Sequence, residues 1–305
     1  MNKPIFITGA TGYVGKSIIK AGVQNGYSFK CLVRNPANEI SLWKFSGCEF
    51  VNGDITNKEE LPEKMSGCSA VIHLVGIIAE TDTASFEDIH YRGTKNVVDA
   101  AKSAGIKRFI HMSALGAREN GKTAYHVSKW KAEEYVRMSG LNYTIFKPSV
   151  IFGREDNFIN LFIKIIKLSP VIPAIGSGSL EPIWVEDVTT CFISALQNPL
   201  TEMKTIELGG GKVYRHPELI KLICKSFNLR RMVFQMPHFL AKPAAFFSEI
   251  AITESLLTRD QLIMLNESNI VRNERPENIF RFSFRSLQDY LEKLNHEKTL
   301  TKEGR

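Results

Sequence analysis

The sequence predicts an α/β fold: a doubly wound parallel sheet with a smaller, mainly helical C-terminal part. Three observations carry that expectation. Short apolar, β-branched runs alternate with helical stretches through the first half of the chain. Those runs are apolar without interruption, as strands covered on both faces must be. The strand–helix unit recurs roughly every twenty to thirty residues.

Taken in order, Ile5 to Ile7 predicts the first strand and Tyr13 to about Asn25 the first helix. Phe29 to Val33 is the second strand, followed by a short helix near Ile40 to Phe45 and a third strand at Glu49 to Val51. A helix is expected over Lys58 to Met65 and a fourth strand over Ala70 to Val75. Ile89 to Ala104 reads as a helix ended by Gly105. Phe109 to Met112 is the fifth strand, Ala124 to Ser139 a helix closed by Gly140, and Tyr143 to Phe146 the sixth strand.

After Pro148 the pattern loosens. Phe158 to Leu168 is an amphipathic helix, and Pro170, Pro173, Gly176 and Gly178 mark loops. Val188 to Gln197 predicts a helix, Thr205 to Leu208 a strand before Gly209-Gly210-Gly211, and Pro217 to Phe227 another helix. The remainder is expected to be mainly helical and to end in Leu287 to Leu294, with the polar Glu297 to Arg305 fraying.

Composition narrows the class. With 305 residues, 44% hydrophobic and 23% charged, the chain is ordinary soluble globular material. The net charge of +7 favours anionic partners, but the Lys and Arg are scattered, so no nucleic-acid surface is expected. Cys31, Cys48, Cys68, Cys191 and Cys224 form no C-x-x-C pair, which argues against a metal site. Cys31 and Cys191 lie in apolar segments and read as buried thiols of a reducing compartment. The first strand starts at Pro4, leaving no room for a targeting segment. Phe239 to Leu257 is the nearest approach to a membrane span, but Lys242, Pro243, Glu249 and Glu254 interrupt it. A cytoplasmic protein is expected, with peripheral placement at the inner face of the membrane as the alternative.

The most informative motif is Thr8 to Gly15, Thr-Gly-Ala-Thr-Gly-Tyr-Val-Gly. Gly9 makes the tight turn off the strand, Gly12 lets backbone approach a pyrophosphate, and Gly15 lets the helix pack close to the sheet. Phosphates then rest on free N–H groups at the helix N-terminus. This predicts a Rossmann domain holding a dinucleotide over residues 1–153. Residues 154–305 form a substrate-covering part, interleaved with the first.

The second strand ends in Leu32-Val33-Arg34-Asn35, without the acid that accepts from ribose hydroxyls in NAD sites. No acid follows until Glu39, and the Arg34 fork suits a 2′-phosphate. NADP(H) is therefore preferred, with NAD(H) still allowed; an ordinary exposed strand-end Arg is the alternative. Asp54, after the third strand, either accepts from the adenine amino group or caps a turn. Gly76 ends His73-Leu74-Val75-Gly76 and lets backbone pass the adenosine. Further cofactor contacts are expected at Thr11, Tyr13, Val14, Ile55, Leu74, Val75, Met112, Pro148 and Val150.

Tyr125 and Lys129 form Tyr-x-x-x-Lys at the start of a helix, on one face. Lys129 can hold ribose hydroxyls and is expected to lower the phenol pKa, so that Tyr125 exchanges a proton with a carbonyl oxygen.

Together these residues resemble the short-chain dehydrogenase/reductase superfamily, in its extended and atypical branches. The likeness runs through Gly53-Asp54, Arg92-Gly93-Thr94-Lys95-Asn96, His111-Met112-Ser113-Ala114, Tyr125 with Lys129, Lys147 to Gly153, and Pro182 to Val188, where Asp187 precedes a helix. Ile110 to Ala117 and Leu257-Thr258-Arg259-Asp260-Gln261 are similar to the group of the nucleotide-binding accessory subunit of complex I and its bacterial relatives. Those relatives are often labelled NAD-dependent epimerase/dehydratase, and some are tied to quinone biosynthesis. No transit peptide is expected before the first strand, which argues against the mitochondrial subunit itself.

Two positions depart from the family. Its catalytic Ser or Thr falls here on Ala114, and its Asn on His90. Ser113 remains as a group that could orient a carbonyl. The resemblance implies an NADPH-dependent reductase or epimerase with Tyr125 as acid/base; the altered tetrad supports a rival, non-catalytic NADPH-binding module that stabilises or senses an assembly. The substrate is expected to be a small molecule. Phe158, Phe162, Ile165, Ile166, Pro173, Phe239, Phe246 and Phe247 make the later part apolar, which suits an isoprenoid or quinone-like carbonyl if some of them line a pocket; core packing is the alternative. Gln235 to Leu257 is a candidate membrane-surface helix. No oligomeric state is legible.

Overall fold

The computed structural model describes residues 3–35, 47–236 and 259–303. The helix expected near Ile40 to Phe45, Glu39, Phe239, Phe246 and Phe247 lie outside the described residues, as does Gln235 to Leu257 beyond its first two positions.

Strand β1 (Ile5–Thr8) feeds helix α1 (Tyr13–Gln24), and β2 (Phe29–Val33) and β3 (Cys48–Asn52) follow. Helix α2 (Leu61–Met65) leads to β4 (Ala70–His73). A π-helical turn, Glu87–Arg92, then runs directly into α3 (Gly93–Ser103). Next come β5 (Arg108–Met112), α4 (Ala124–Arg137), β6 (Asn142–Pro148), the short β7 (Ile151–Phe152) and α5 (Phe158–Leu168). The chain continues through β8 (Val171–Ala174), β9 (Ser179–Leu180), β10 (Ile183–Trp184), α6 (Val185–Ala195), β11 (Lys204–Leu208), β12 (Tyr214–Arg215), α7 (His216–Ser226) and β13 (Met232–Gln235). Helices Arg259–Met264, Pro276–Phe280 and Leu287–Glu303 complete the described chain.

Two compact units result. The first is Met1–Pro148 with Val185–Leu208 and Asn273–Phe282; the second is Ser149–Trp184 with Gly209–Arg272 and Ser283–Arg305.

The first unit holds the expected doubly wound sheet, seven parallel strands in the order β11-β6-β5-β4-β1-β2-β3. Strand β1 is buried at every position, which is why Ile5-Phe6-Ile7 is continuously apolar. On one face Phe6, Val71 and Phe109 pack with Leu61, Met65, Val97, Val98 and Val136 of α2, α3 and α4. On the other, α1 packs against α6, and Phe192 lies 4.7 Å from Phe146 between ring centroids. Each fully buried Phe of this kind contributes about 1.5–3 kcal/mol. Cys31 and Cys191 are both buried.

The second unit has its own core. Phe152, Ile159, Ile163, Ile166, Leu219, Ile220 and Ile223 close on Leu287, Tyr290 and Leu291. Helix α5 starts where the buried Asp156 carboxylate accepts from Ile159 N–H at 2.6 Å. Gly9, Gly116 and Gly176 take left-handed φ values, as does non-glycine Arg281 at the end of helix Pro276–Phe280.

Several expectations need correction. The expected helix over Ile89 to Ala104 is a π-turn through Arg92 followed by a shorter α-helix. The part after Pro148 is mainly helical as expected, but it also carries the unforeseen short strands β7, β8, β9, β10, β12 and β13; strands of two to four residues leave no readable period. Gln235, the start of the candidate membrane-surface helix, instead ends strand β13. Glu297 to Glu303 continues the last helix, and Gly304 and Arg305 lie outside the described residues.

Candidate functional site

Parallel strands end side by side, so the loops after them share one edge of the sheet. The glycine loop follows β1, Arg34 follows β2, Asp54 and Ile55 follow β3, and Leu74 to Gly76 follow β4. Met112 closes β5, Tyr125 and Lys129 occupy the start of α4, and Pro148 closes β6. Val150 belongs to the second unit, where its carbonyl accepts from Ile183 N–H at 2.9 Å.

The loop geometry follows from its glycines. Gly9 adopts φ +75°, and a Cβ there would sit 3.2 Å from the Leu74 and Val75 backbone. Gly15 packs so closely that a Cβ would lie 2.2 Å from the Gly9 carbonyl. Gly12 differs: a Cβ would meet only the Gly9 carbonyl, at 3.3 Å, so the space beside it is open. No side chain caps α1 and no acid stands in its first turn, an end suited to an anion. These features fit a dinucleotide pyrophosphate.

Thr11 and Tyr13 are partly buried beside the loop, and Val14 is buried. Arg34 is exposed and pairs with nothing among the described residues. Asp54 is engaged locally: Oδ1 accepts from Thr56 N–H and from the Thr56 hydroxyl, both at 2.8 Å. Ile55 is buried in the core beneath α3.

Helix α4 begins at Thr123, whose hydroxyl accepts from His126 N–H at 3.2 Å. That cap places Tyr125 on the first turn and Lys129 one turn later. The Lys129 ammonium is buried and donates to the Met112 carbonyl at 3.2 Å. It makes no ion pair with the described residues; burial lowers its pKa to about 8, against an upward pull from Glu133. The Tyr125 ring lies edge-on to Phe86 and His90. Burial pushes its hydroxyl pKa up to about 12, so the expected lowering by Lys129 is not found in the protein as it stands.

His90 occupies the π-turn. Its Nε2 accepts from Ile77 N–H at 3.0 Å, and Nδ1 lies 2.9 Å from the Ser128 hydroxyl. The Ile77 contact fixes the neutral tautomer with its proton on Nδ1. Ser128 in turn donates to the Tyr125 carbonyl at 2.9 Å. Burial holds His90 down to about 2, so it stays neutral. Deeper still, His73 bridges the Thr8 hydroxyl at 2.6 Å and the Thr94 hydroxyl at 3.0 Å, and its ring stacks on His111.

Ser113 is turned to a different partner. Its hydroxyl donates to Oε1 of buried Glu133 at 2.5 Å. Glu133 also accepts from Arg137 at 2.6 Å and from Lys147, whose Nζ lies 3.2 Å from Oε1. Glu133, Lys147, His73 and Ser128 were not expected at this edge. The only sequence signal was a polar residue inside an otherwise apolar run, visible for His73 alone.

Among the described residues no group of His, Cys, Asp and Glu could hold a metal ion. No helix there is long and apolar enough to cross a membrane.

Residues 9–158 match a family model described as NAD(P)H-binding. The chain is 30% identical to a ceramide reductase of Caulobacter vibrioides, over 76% of this chain and 73% of that protein. It is 25% identical to the mitochondrial NADH-ubiquinone oxidoreductase 40 kDa subunit of Neurospora crassa, over 93% of this chain and 78% of the subunit. An NADPH-dependent quinone oxidoreductase from Escherichia coli, in complex with NADPH, shares the fold with a TM-score of 0.75 at 18% identity, covering 95% of this chain and 99% of the other. The chain belongs to an NAD(P)H-binding family that includes this ceramide reductase, and it is similar over most of its length to the complex I subunit.

Proposed function

We propose that this protein is an NADPH-dependent reductase, of the epimerase/dehydratase type, acting on a small hydrophobic carbonyl compound. One observation carries the reading: Lys129, a buried ammonium without an ion-pair partner among the described residues, stands one turn after Tyr125, at the Met112 carbonyl that closes β5 and against Gly76 after β4. A buried charge left without a counter-ion is expensive, and such groups mark sites where a ligand completes the pairing.

In this reading the α1 N-terminus and Gly12 receive the pyrophosphate, Arg34 the 2′-phosphate, and Lys129 the ribose hydroxyls. When bound, NADPH supplies the reducing equivalent. Tyr125 gives its phenolic proton to the carbonyl oxygen as that oxygen gains charge. Its high pKa in the protein alone keeps the proton on the phenol until a ligand is present. The Ser128–His90–Ile77 chain holds the first turn of α4 and fixes the tyrosine's backbone. Similarity to a ceramide reductase supports a hydrophobic substrate, with an isoprenoid or quinone-like carbonyl in the same class.

A second reading has its own support. Ser113 is committed to Glu133, and relatives include a respiratory-complex subunit. A chain that holds NADPH permanently and stabilises an assembly would need no free serine.

The deciding experiment is mass spectrometry of the copurifying nucleotide, before and after incubation with hydrophobic ketones and quinones. Reductase action predicts conversion of bound NADPH to NADP together with a reduced product. Tyr125→Phe should keep the nucleotide and lower the rate roughly 10²–10⁴-fold. Nucleotide that stays reduced with every carbonyl offered favours the binding module.

A further inference from the structure

The second unit presents an edge that the reductase reading does not use. Strand β13 pairs in parallel with β8, Met232 beside Val171 and Phe234 beside Pro173. Alternation along the strands turns Ile172 and Ala174 into the core and leaves Val171, Met232 and Phe234 outward. Met232 is 68% exposed, Phe234 42%, Val171 42%, and Leu168 at the end of α5 is 75% exposed. Short contacts tie β13 to the end of α5 and the turn before β8. Met232 N–H donates to the Pro170 carbonyl at 3.0 Å, and Arg231 Nε donates to the Ile166 carbonyl at 2.7 Å. Lys167 lies over the Phe227 ring at 5.2 Å, which brings the end of α7 to the same edge.

The segments that build this edge carry charge of one sign. Residues 157–180 and 219–236, which supply α5, β8, most of α7 and β13, contain Lys164, Lys167, Lys221, Lys225, Arg230 and Arg231 and no Asp or Glu. Lys164, Lys167, Lys225 and Arg230 are exposed.

From this juxtaposition we propose that the β8–β13 edge, with the end of α5, docks on an anionic lipid surface. Protruding Leu168, Met232 and Phe234 would enter the boundary between headgroups and acyl chains, while the lysines and arginines meet lipid phosphates. A nucleic acid would use the cations, but of the three apolar side chains only Phe234 offers a face on which a base could stack. The site lies on described residues.

Co-sedimentation of the full chain with vesicles tests the proposal, and because it needs no turnover, its failure and failure of the reductase reading are distinguishable. The vesicles are phosphatidylcholine alone or mixed with phosphatidylglycerol, at low and at physiological salt. The expected result is binding to the mixed vesicles only, weakened by salt. Lys164→Gln/Lys167→Gln should lower partitioning about ten- to thirty-fold. Met232→Ser/Phe234→Ser should lower it comparably, with NADPH binding kept as the measure of folding. Should that pair fail to fold, Leu168→Ser and the lysine pair still decide. Equal binding to pure phosphatidylcholine, or no binding to either vesicle, overturns the proposal. So does loss confined to Phe246→Ser/Phe247→Ser, which would place the contact there. Retention on immobilised polyglutamate without vesicle binding overturns it in favour of an acidic protein partner.

Discussion

The Lys129 ammonium rests against Gly76: a Cβ built on that glycine would come within 2.8 Å of Nζ. The loop after β4 therefore needs glycine for the sake of a side chain on α4, more than for its own backbone. Gly76→Ala should displace Nζ, which sits at the end of a flexible chain, with little loss of stability. Affinity for NADPH should fall about ten-fold, or about 1.4 kcal/mol. Titration calorimetry with a thermal melt checks both halves. An unchanged dissociation constant would mean that the ammonium is not where the nucleotide is held.

Burial of Lys129 also predicts a pH dependence. Its pKa falls from 10.5 to about 8, so the unfolded chain holds this proton more tightly than the native one. Below about pH 8 the native state carries the charge at a penalty of roughly 3 kcal/mol, and stability rises as pH climbs from 8 towards 10.5. Lys129→Met should therefore be more stable than the parent at pH 7, less whatever the lost Met112 contact contributes. That advantage should fade above pH 8 and vanish near 10.5. Urea unfolding at several pH values measures this. A variant less stable at pH 7 would show that the ammonium is already compensated.

Much of the first unit was legible because its signals are long or repeated. Ile5-Phe6-Ile7 and Ala70 to His73 are buried throughout, and a continuous apolar run says so. The glycine triplet showed where the nucleotide loop turns. The polar floor of the site was hidden for a different reason. Glu133 is fully buried, yet a charged residue in a helix reads by default as solvent-facing. Glu133 and Glu134 are neighbours on α4, and only tertiary packing decides that the first is enclosed while the second, paired with Arg137, stays near the surface. The two-residue strands β7, β9, β10 and β12 exist through their partners and have no period of their own.

Arg34 sets the coenzyme preference in the proposed reading. It ends the second strand, exposed and without a carboxylate beside it among the described residues. One charge-assisted contact to the 2′-phosphate is worth about 1.5–3 kcal/mol. Arg34→Ala should thus weaken NADPH roughly 10- to 150-fold and leave NADH nearly unchanged. Competitive titration of the two coenzymes reads the ratio directly. A variant that keeps the parental preference would remove Arg34 as the reader.

Ser113 and Glu133 separate a structural role from a catalytic one. The serine hydroxyl donates to a fully buried carboxylate that also holds Arg137 and Lys147. Removing that carboxylate leaves two cations in a partly enclosed space, their side chains 28% and 12% exposed. Glu133→Ala should destabilise the protein by about 3 kcal/mol, towards the lower end for a broken buried pair because both cations still reach some water. Ser113→Ala removes one donor from a carboxylate that keeps its cations, a loss of about 1–2 kcal/mol. If Ser113 only braces the helix, its alanine variant lowers the melting temperature and leaves turnover within about two-fold. If instead the hydroxyl meets the substrate, the rate falls by a factor on the order of a hundred while the melting temperature stays put. Melting curves and steady-state rates measured on the same preparations distinguish these outcomes, and the short Ser113–Glu133 contact argues for the first.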